Sequence, residues 1–172
     1  TGTSCWLVGE WRGREPVVNT AEIIKIDKGR PREAFERCAA VIKAGGVIAY
    51  PTDTFYGLGV DPRDRRAVSK LYEIKSRGTA QPILLLLCDR FEVTAWASAI
   101  TRSAERLMDR FWPGPLTLVF TARPDILPEL TGGTGTIGLR VPGNEVTRAL
   151  LRQTGSALTG TSANRSGSSS PR

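Results

Sequence analysis

Residues 45–59 read Gly45-Gly46-Val47-Ile48-Ala49-Tyr50-Pro51-Thr52-Asp53-Thr54-Phe55-Tyr56-Gly57-Leu58-Gly59. Two glycines close whatever precedes them, and Val47 to Tyr50 then form a short, wholly apolar run. Such a run reads as a strand covered on both faces, which requires helices on either side of a sheet. The run stops at Pro51 and opens into hydroxyls, one carboxylate and two further glycines. Ligands of α/β sheets bind at strand ends of this kind. Gly57 and Gly59 permit either close backbone approach or positive φ. On spacing alone, the simpler reading is favoured: a strand-to-helix turn capped by Asp53 or Thr54. The segment is not a phosphate loop, because no lysine follows the glycines.

Upstream, residues 22–27 predict a short strand. Pro31 opens a helix whose stripe of Ala34, Phe35, Cys38, Ala39, Val41 and Ile42 ends at Gly45-Gly46. Residues 1–20 carry Trp6 and Trp11 among charges without a clear period. They are read as an N-terminal extension packing on a domain of residues 21–172. Downstream, Asp64 caps a helix carrying Ala67, Val68, Leu71, Tyr72 and Ile74, with Gly78 just beyond its end. Residues 83–87 predict a strand apolar on both faces. Residues 102–111 predict a helix that buries Leu107, Met108 and Phe111 and stops at Pro113-Gly114-Pro115. Residues 116–121 and 136–141 read as strands, with a loop over 124–135 between them. A helix over 144–153 closes at Gly155. A last short strand covers 157–159, and an irregular tail follows from Ser162. Alternating helices and strands give the α/β class. The connections at Pro113 and near Gly132 read as antiparallel returns, so a mixed sheet is expected.

The composition excludes whole classes of chemistry. The chain has 172 residues, with 24 Lys and Arg against 17 Asp and Glu, a net charge of +7 and no histidine. A Ser-His-Asp triad, a histidine-bearing zinc site and a histidine acid or base are therefore ruled out. Catalysis must use Lys, Arg, carboxylates, hydroxyls, backbone amides or a bound metal. The positive charge favours anionic partners such as nucleotides, phosphates or RNA. The length suits one domain. Cys5, Cys38 and Cys88 are widely spaced and form no CxxC, as in a reducing cytosol. The longest apolar run, residues 83–87, is too short to span a bilayer, and no signal-peptide pattern appears. The expectation is a cytoplasmic protein with no membrane partner. The first residue is Thr1 rather than Met, which leaves open that the chain is part of a longer protein.

Several segments offer chemistry, each with a plainer alternative. Lys75-Ser76-Arg77-Gly78 ends a helix. Alone, its cations answer the helix dipole; in a tight turn they converge on a phosphate. Residues 159–170 leave a strand carrying hydroxyls, an amide and free backbone donors, which suits a phosphate nest or a flexible tail. Arg140 ends a strand where its guanidinium suits a two-point carboxylate clamp, against the reading of a surface arginine. Trp112-Pro113-Gly114-Pro115 is most simply a packed helix stop. Arg63, Arg65, Arg66 and Lys70 make a basic run, read as a solvated face with RNA contact as the alternative.

Together and in this order, the segments resemble the YrdC-like domain family, the threonylcarbamoyl-AMP synthases that start the tRNA t6A modification. The matching stretches are residues 45–59, Lys75-Ser76-Arg77 with Pro82, residues 112–117, Gly138-Leu139-Arg140-Val141-Pro142, and residues 162–167. The resemblance spans residues 21–172. It implies an open, strongly twisted mixed α/β sheet flanked by helices, with a positive concavity. It also implies that L-threonine, bicarbonate and ATP give threonylcarbamoyl-adenylate and pyrophosphate. The family's catalytic Lys-x-Arg and Ser-x-Asn set falls on Lys75, Arg77, Ser162 and Asn164, which also bind ATP. Thr79, Thr136 and Ser170 lie near ATP by the same resemblance, and Thr52, Arg140 and Gly160 contact L-threonine. Lys75 and Arg77 are expected to be exposed in a cleft. No protein metal ligand is implied; Mg²⁺ comes with the nucleotide. A downstream complex that transfers the threonylcarbamoyl group is the implied partner, with tRNA or double-stranded RNA as a further candidate.

Three departures stand out. Leu86 occupies a position where many members carry histidine. Thr161 replaces a common proline before Ser-x-Asn. The chain ends at Arg172, where members usually run on for another strand or helix; either the remainder lies outside this chain or the domain closes differently. Two other functions stay open: a carbamoyl-adenylate-forming or carbamoyltransferase domain of the same fold, and an RNA-binding protein without this activity.

Overall fold

Pro31 starts α1 (Pro31–Lys43) at a position where its missing N–H costs nothing. Gly45 ends the turn beyond it in the left-handed region, at φ +73°. The structure, a computed structural model, describes residues 4–8, 22–26, 31–53, 56–76, 78, 81–155 and 157–163. β3 (Val47–Pro51) follows α1 and is buried on both faces. Ile48 and Tyr50 share one core with Ala34, Cys38 and Ile42 of α1. Val47 and Ala49 face a second core with Ala67, Val68 and Leu71 of α2 (Arg65–Lys75). The unbroken apolar run is thus explained by helices on both sides.

The segment after β3 is a hairpin, not a strand-to-helix turn. β4 (Tyr56–Gly59) returns antiparallel, with Pro51 opposite Tyr56 and Ile48 opposite Gly59. Close approach, rather than positive φ, explains its glycines. A Cβ on Gly59 would lie 2.6 Å from Tyr50 Cε1. Asp64 caps α2 by accepting from the Arg66 and Ala67 amides at 2.9 and 3.2 Å. The helix ends at Ser76, itself left-handed at φ +48°, two residues before the predicted Gly78.

The strands divide into two hydrogen-bonded ladders. The first has the order β2-β1-β3-β4-β9, where β1 is Ser4–Val8, β2 is Glu22–Lys25 and β9 is Thr161–Ser162. All its pairs are antiparallel. The second has the order β6-β7-β5-β8, where β5 is Leu85–Leu86, β6 is Leu118–Thr121, β7 is Thr136–Arg140 and β8 is Leu158–Thr159. There β5 and β7 run parallel and the other pairs antiparallel. The α/β class and mixed pairing agree with the sequence. The expected single sheet is instead two ladders, joined where β8 runs through Gly160 into β9. The extension also differs from expectation at residues 4–8. They form the strand between β2 and β3, because main-chain pairing needs no apolar period in the sequence.

Three further readings are corrected. The strand over 83–87 is shorter, although its run still divides between cores, with Leu85 and Leu87 on one side and Leu86 on the other. α3 (Arg102–Phe111) buries Met108, while Leu107 and Phe111 stay exposed, because the helix presents one narrow stripe inward. The loop over 124–135 contains α4 (Pro128–Thr131), opened by a proline in its first turn and closed by left-handed Gly132. The final helix, α5 (Glu145–Thr154), has Asn144 as its cap and packs against α1. Among the described residues, no helix is long and apolar enough to cross a membrane.

Two stability predictions follow, one from a buried hydroxyl and one from a half-buried carboxyl. The Tyr50 hydroxyl donates to the Thr159 carbonyl at 2.7 Å, bridging the two ladders. Tyr50→Phe removes that donor inside the core and should cost about 1–3 kcal/mol in urea unfolding. Glu92 lies in a 3₁₀ turn, Arg90–Ala95. Burial, and then Asp89, push its carboxyl above the ordinary value of 4.5, against a Cys88 backbone hydrogen bond and Arg63. The folded state therefore binds this proton more tightly than the unfolded state. That contribution is present at low pH and is lost as the pH rises above the ordinary carboxylate range. Glu92→Gln should raise stability at pH 7 and flatten this decline, as measured by unfolding across pH.

Candidate active site

A cavity of about 100 Å³ opens where the two ladders meet. The β3–β4 hairpin supplies Thr52, Asp53, Tyr56 and Gly57. The β5 segment supplies Leu84 and Leu86, the end of β7 supplies Arg140 and Pro142, and the crossover supplies Gly160, Thr161 and Ser162. The volume is well below the roughly 300–1,000 Å³ of pockets that bury whole drug-sized ligands. It suits a small molecule, with anything larger extending outside.

Gly160 determines how this cavity forms. Its amide donates to the Leu84 carbonyl at 2.7 Å, and a Cβ there would lie 3.1 Å from Leu86 Cγ. The chain can step between ladders directly over Leu86 because Gly160 has no side chain. Leu86 becomes part of an apolar wall with Leu84 and Pro142.

Arg140 is held from two sides. Its Nε donates to the Gly114 carbonyl at 2.9 Å, and its Nη2 donates to Asp53 Oδ2. The Gly143 amide also donates to Asp53 Oδ2, at 3.3 Å. The Arg140 and Asp53 side chains are only 13% and 21% exposed. Gly114 belongs to the Trp112–Pro115 turn, which is fixed by Trp112 Nε1 donating to the Leu116 carbonyl at 2.7 Å and by Gly114 N donating to the Val141 carbonyl at 2.9 Å. The turn is a packed stop, as read, and it also orients Arg140.

Lys75 is not exposed in a cleft; it is 4% exposed. The end of α2 aims it beneath β9, where its Nζ donates to the Ser162 carbonyl at 2.6 Å. The structure thus gathers Thr52, Arg140, Gly160 and Ser162 around one cavity, with Lys75 against its rim. Thr136 shares the face of β7 that carries Arg140, but sits four residues away, about 13 Å along the strand, and bonds Thr134 instead. Arg77, Thr79, Asn164 and Ser170 lie outside the described residues.

Sequence reasoning missed Asp53, Tyr56 and Gly114 as site residues. Asp53 is the one carboxylate in the hairpin loop, but its partner is 87 residues away. The basic run is mostly used internally. Arg63 stacks over Trp96 at 4.9 Å, Arg65 pairs with Glu129 at 2.5 Å, and Lys70 Nζ donates to the Gly45 carbonyl at 3.1 Å. A second cavity of about 210 Å³, lined in part by Arg63, Trp96 and Asp125, holds none of the expected site residues. Cys88, Asp89 and Glu92 cluster elsewhere. Burial, and then Glu92, push the Cys88 thiol up, and Asp89 is engaged in capping the 3₁₀ turn.

The family Sua5_yciO_yrdC, described as "Telomere recombination", matches residues 40–172. The threonylcarbamoyl-AMP synthase of Thiobacillus denitrificans is 43% identical over 129 residues, 74% of this chain and 68% of that protein. The Bacillus subtilis threonylcarbamoyl-AMP synthase is 38% identical over 136 residues, 78% of this chain. The chain spans only 39% of the length of that Bacillus relative. The crystal structure of P. abyssi Sua5 complexed with L-threonine superposes with a TM-score of 0.79 at 34% identity, covering 81% of this chain and 41% of that one. Agreement of this extent in sequence and in shape means that the chain belongs to the Sua5/YciO/YrdC family.

Proposed function

We propose that the chain forms threonylcarbamoyl-AMP and pyrophosphate from L-threonine, bicarbonate and ATP, for N6-threonylcarbamoyladenosine in tRNA. One observation carries this reading: Thr52, Arg140, Gly160 and Ser162, drawn from three separate segments, line a single small cavity. Two relatives named for this activity and a threonine complex of similar fold support it.

The chemistry suits the residues. The threonine amine attacks bicarbonate, water departs, and a carbamate forms. A carbamate oxygen then attacks the α-phosphorus of ATP, and pyrophosphate leaves. Two anions must approach, so the protein contributes positive charge and positioning rather than a side-chain nucleophile. Arg140 binds the amino-acid carboxylate, and Thr52 hydrogen-bonds the amine or carbamate. Lys75, Ser162, Arg77 and Asn164 act on the phosphates. Thr136, Thr79 and Ser170 are assigned to ATP binding. Mg²⁺ enters with the nucleotide, held by phosphate oxygens and water. The donor set fits this arrangement, since the cavity's carboxylate, Asp53, is engaged by Arg140. The product passes to a complex that transfers it to tRNA in the cytoplasm.

Pyrophosphate release from ATP and bicarbonate should depend on L-threonine; release driven by carbamoyl phosphate without threonine would overturn the reading. Lys75→Met keeps the buried stem but removes the charge. It should lower kcat by about 10²–10³, with the circular dichroism of the parent and a stability loss no larger than the roughly 1–3 kcal/mol of one lost donor to the Ser162 carbonyl.

A further inference from the structure

We infer that Asp53 is a positioning residue for substrate carboxylate binding, acting through Arg140. The inference deepens, and rests on, the threonine reading above. Arg140 has five N–H donors in one rigid plane. Nε is fixed by the Gly114 carbonyl and Nη2 by Asp53. The remaining donors, including both on Nη1, have no protein partner among the described residues, and Arg140 lines the cavity. The plane is therefore locked on one edge and open on the other, as a bidentate grip on an α-carboxylate requires. Asp53 is locked in turn by the Gly143 amide, which ties the hairpin to the loop after β7. Without Asp53, the guanidinium can rotate about its Nε anchor and the open edge loses its aim. The arrangement assigns Asp53 to the amino-acid half of the reaction and not to the nucleotide half.

The test is steady-state pyrophosphate release by this chain, preceded by calorimetry of L-threonine binding to the parent. Asp53→Asn keeps the shape and an oxygen that can accept from both Gly143 and Arg140, but it replaces the ion-paired bond to Nη2 with a weaker one to a neutral oxygen. It should raise the KM for L-threonine by about ten- to a hundredfold, with the KM for ATP within about twofold. The double variant Asp53→Asn/Arg140→Gln should bind threonine no more weakly than Arg140→Gln alone. Asp53→Glu, which keeps the charge but shifts it by one methylene, should fall between parent and Asp53→Asn. If Asp53→Asn does not fold, Asp53→Glu carries the same KM comparison. Equal rises in both KM values, or losses that multiply in the double variant, would overturn the inference while leaving the threonine reading intact. A parent that binds no threonine would overturn the threonine reading and this inference with it.

Discussion

The step of the main chain over Leu86 at Gly160 is the constraint on which the rest depends. β8 pairs with β5 in one ladder, and β9 pairs with β4 in the other, with one residue between them. A side chain at Gly160 would press on Leu86, whose side chain would have to give by a few tenths of an ångström. The Tyr50 hydroxyl secures the same junction from below by capturing the Thr159 carbonyl, and Gly59 leaves room for that ring. Thr159 completes the join, with its hydroxyl accepting from the Val60 amide at 3.1 Å. The cavity is therefore a consequence of how two sheets are fastened. Its walls come from both, and its floor is the fastening itself.

Around that junction the cations are held by oxygens of the fold. Lys75 donates to the Ser162 carbonyl, and Arg140 donates to the Gly114 carbonyl and to Asp53. The bond from Lys75 to the Ser162 carbonyl satisfies a donor without neutralising the charge. Asp53 is different: it is a full counter-charge, placed beside the cation proposed to take an α-carboxylate. Its presence makes sense if geometry matters more there than net charge. A guanidinium pinned on one edge loses little entropy when a second carboxylate arrives on the other.

Much of this was legible in the sequence, and the failures have physical causes. α1, α2, α3 and α5 were readable because caps, apolar stripes and terminal glycines act locally. β4 was missed because Gly57 and Gly59 carry no side chains to show a strand period; their meaning lies in Tyr50 across the hairpin. β1 was missed for a related reason, since a strand in the middle of a ladder is identified by main-chain pairing. The Asp53–Arg140 pair spans 87 positions, and nothing in either neighbourhood points to the other. Lys75 looked like a solvated helix-end cation because sequence does not reveal that β9 lies over it. Resemblance supplied Thr52, Arg140, Gly160 and Ser162 as a set; spacing alone did not.

The missing histidine changes meaning once Leu86 is seen in the cavity wall. In the proposed reaction a carbamate oxygen attacks phosphorus without a base, and Leu86 contributes only an apolar surface beside it. Leu86, next to Leu84 and Pro142, gives the cavity a wall without a hydrogen-bonding side chain. Beside an apolar wall, the proposed attraction between Arg140 and a carboxylate is less screened than beside a hydrated one. The apolar wall and the Asp53-locked arginine then act together: a few fixed charges carry recognition in a chain with no imidazole to titrate.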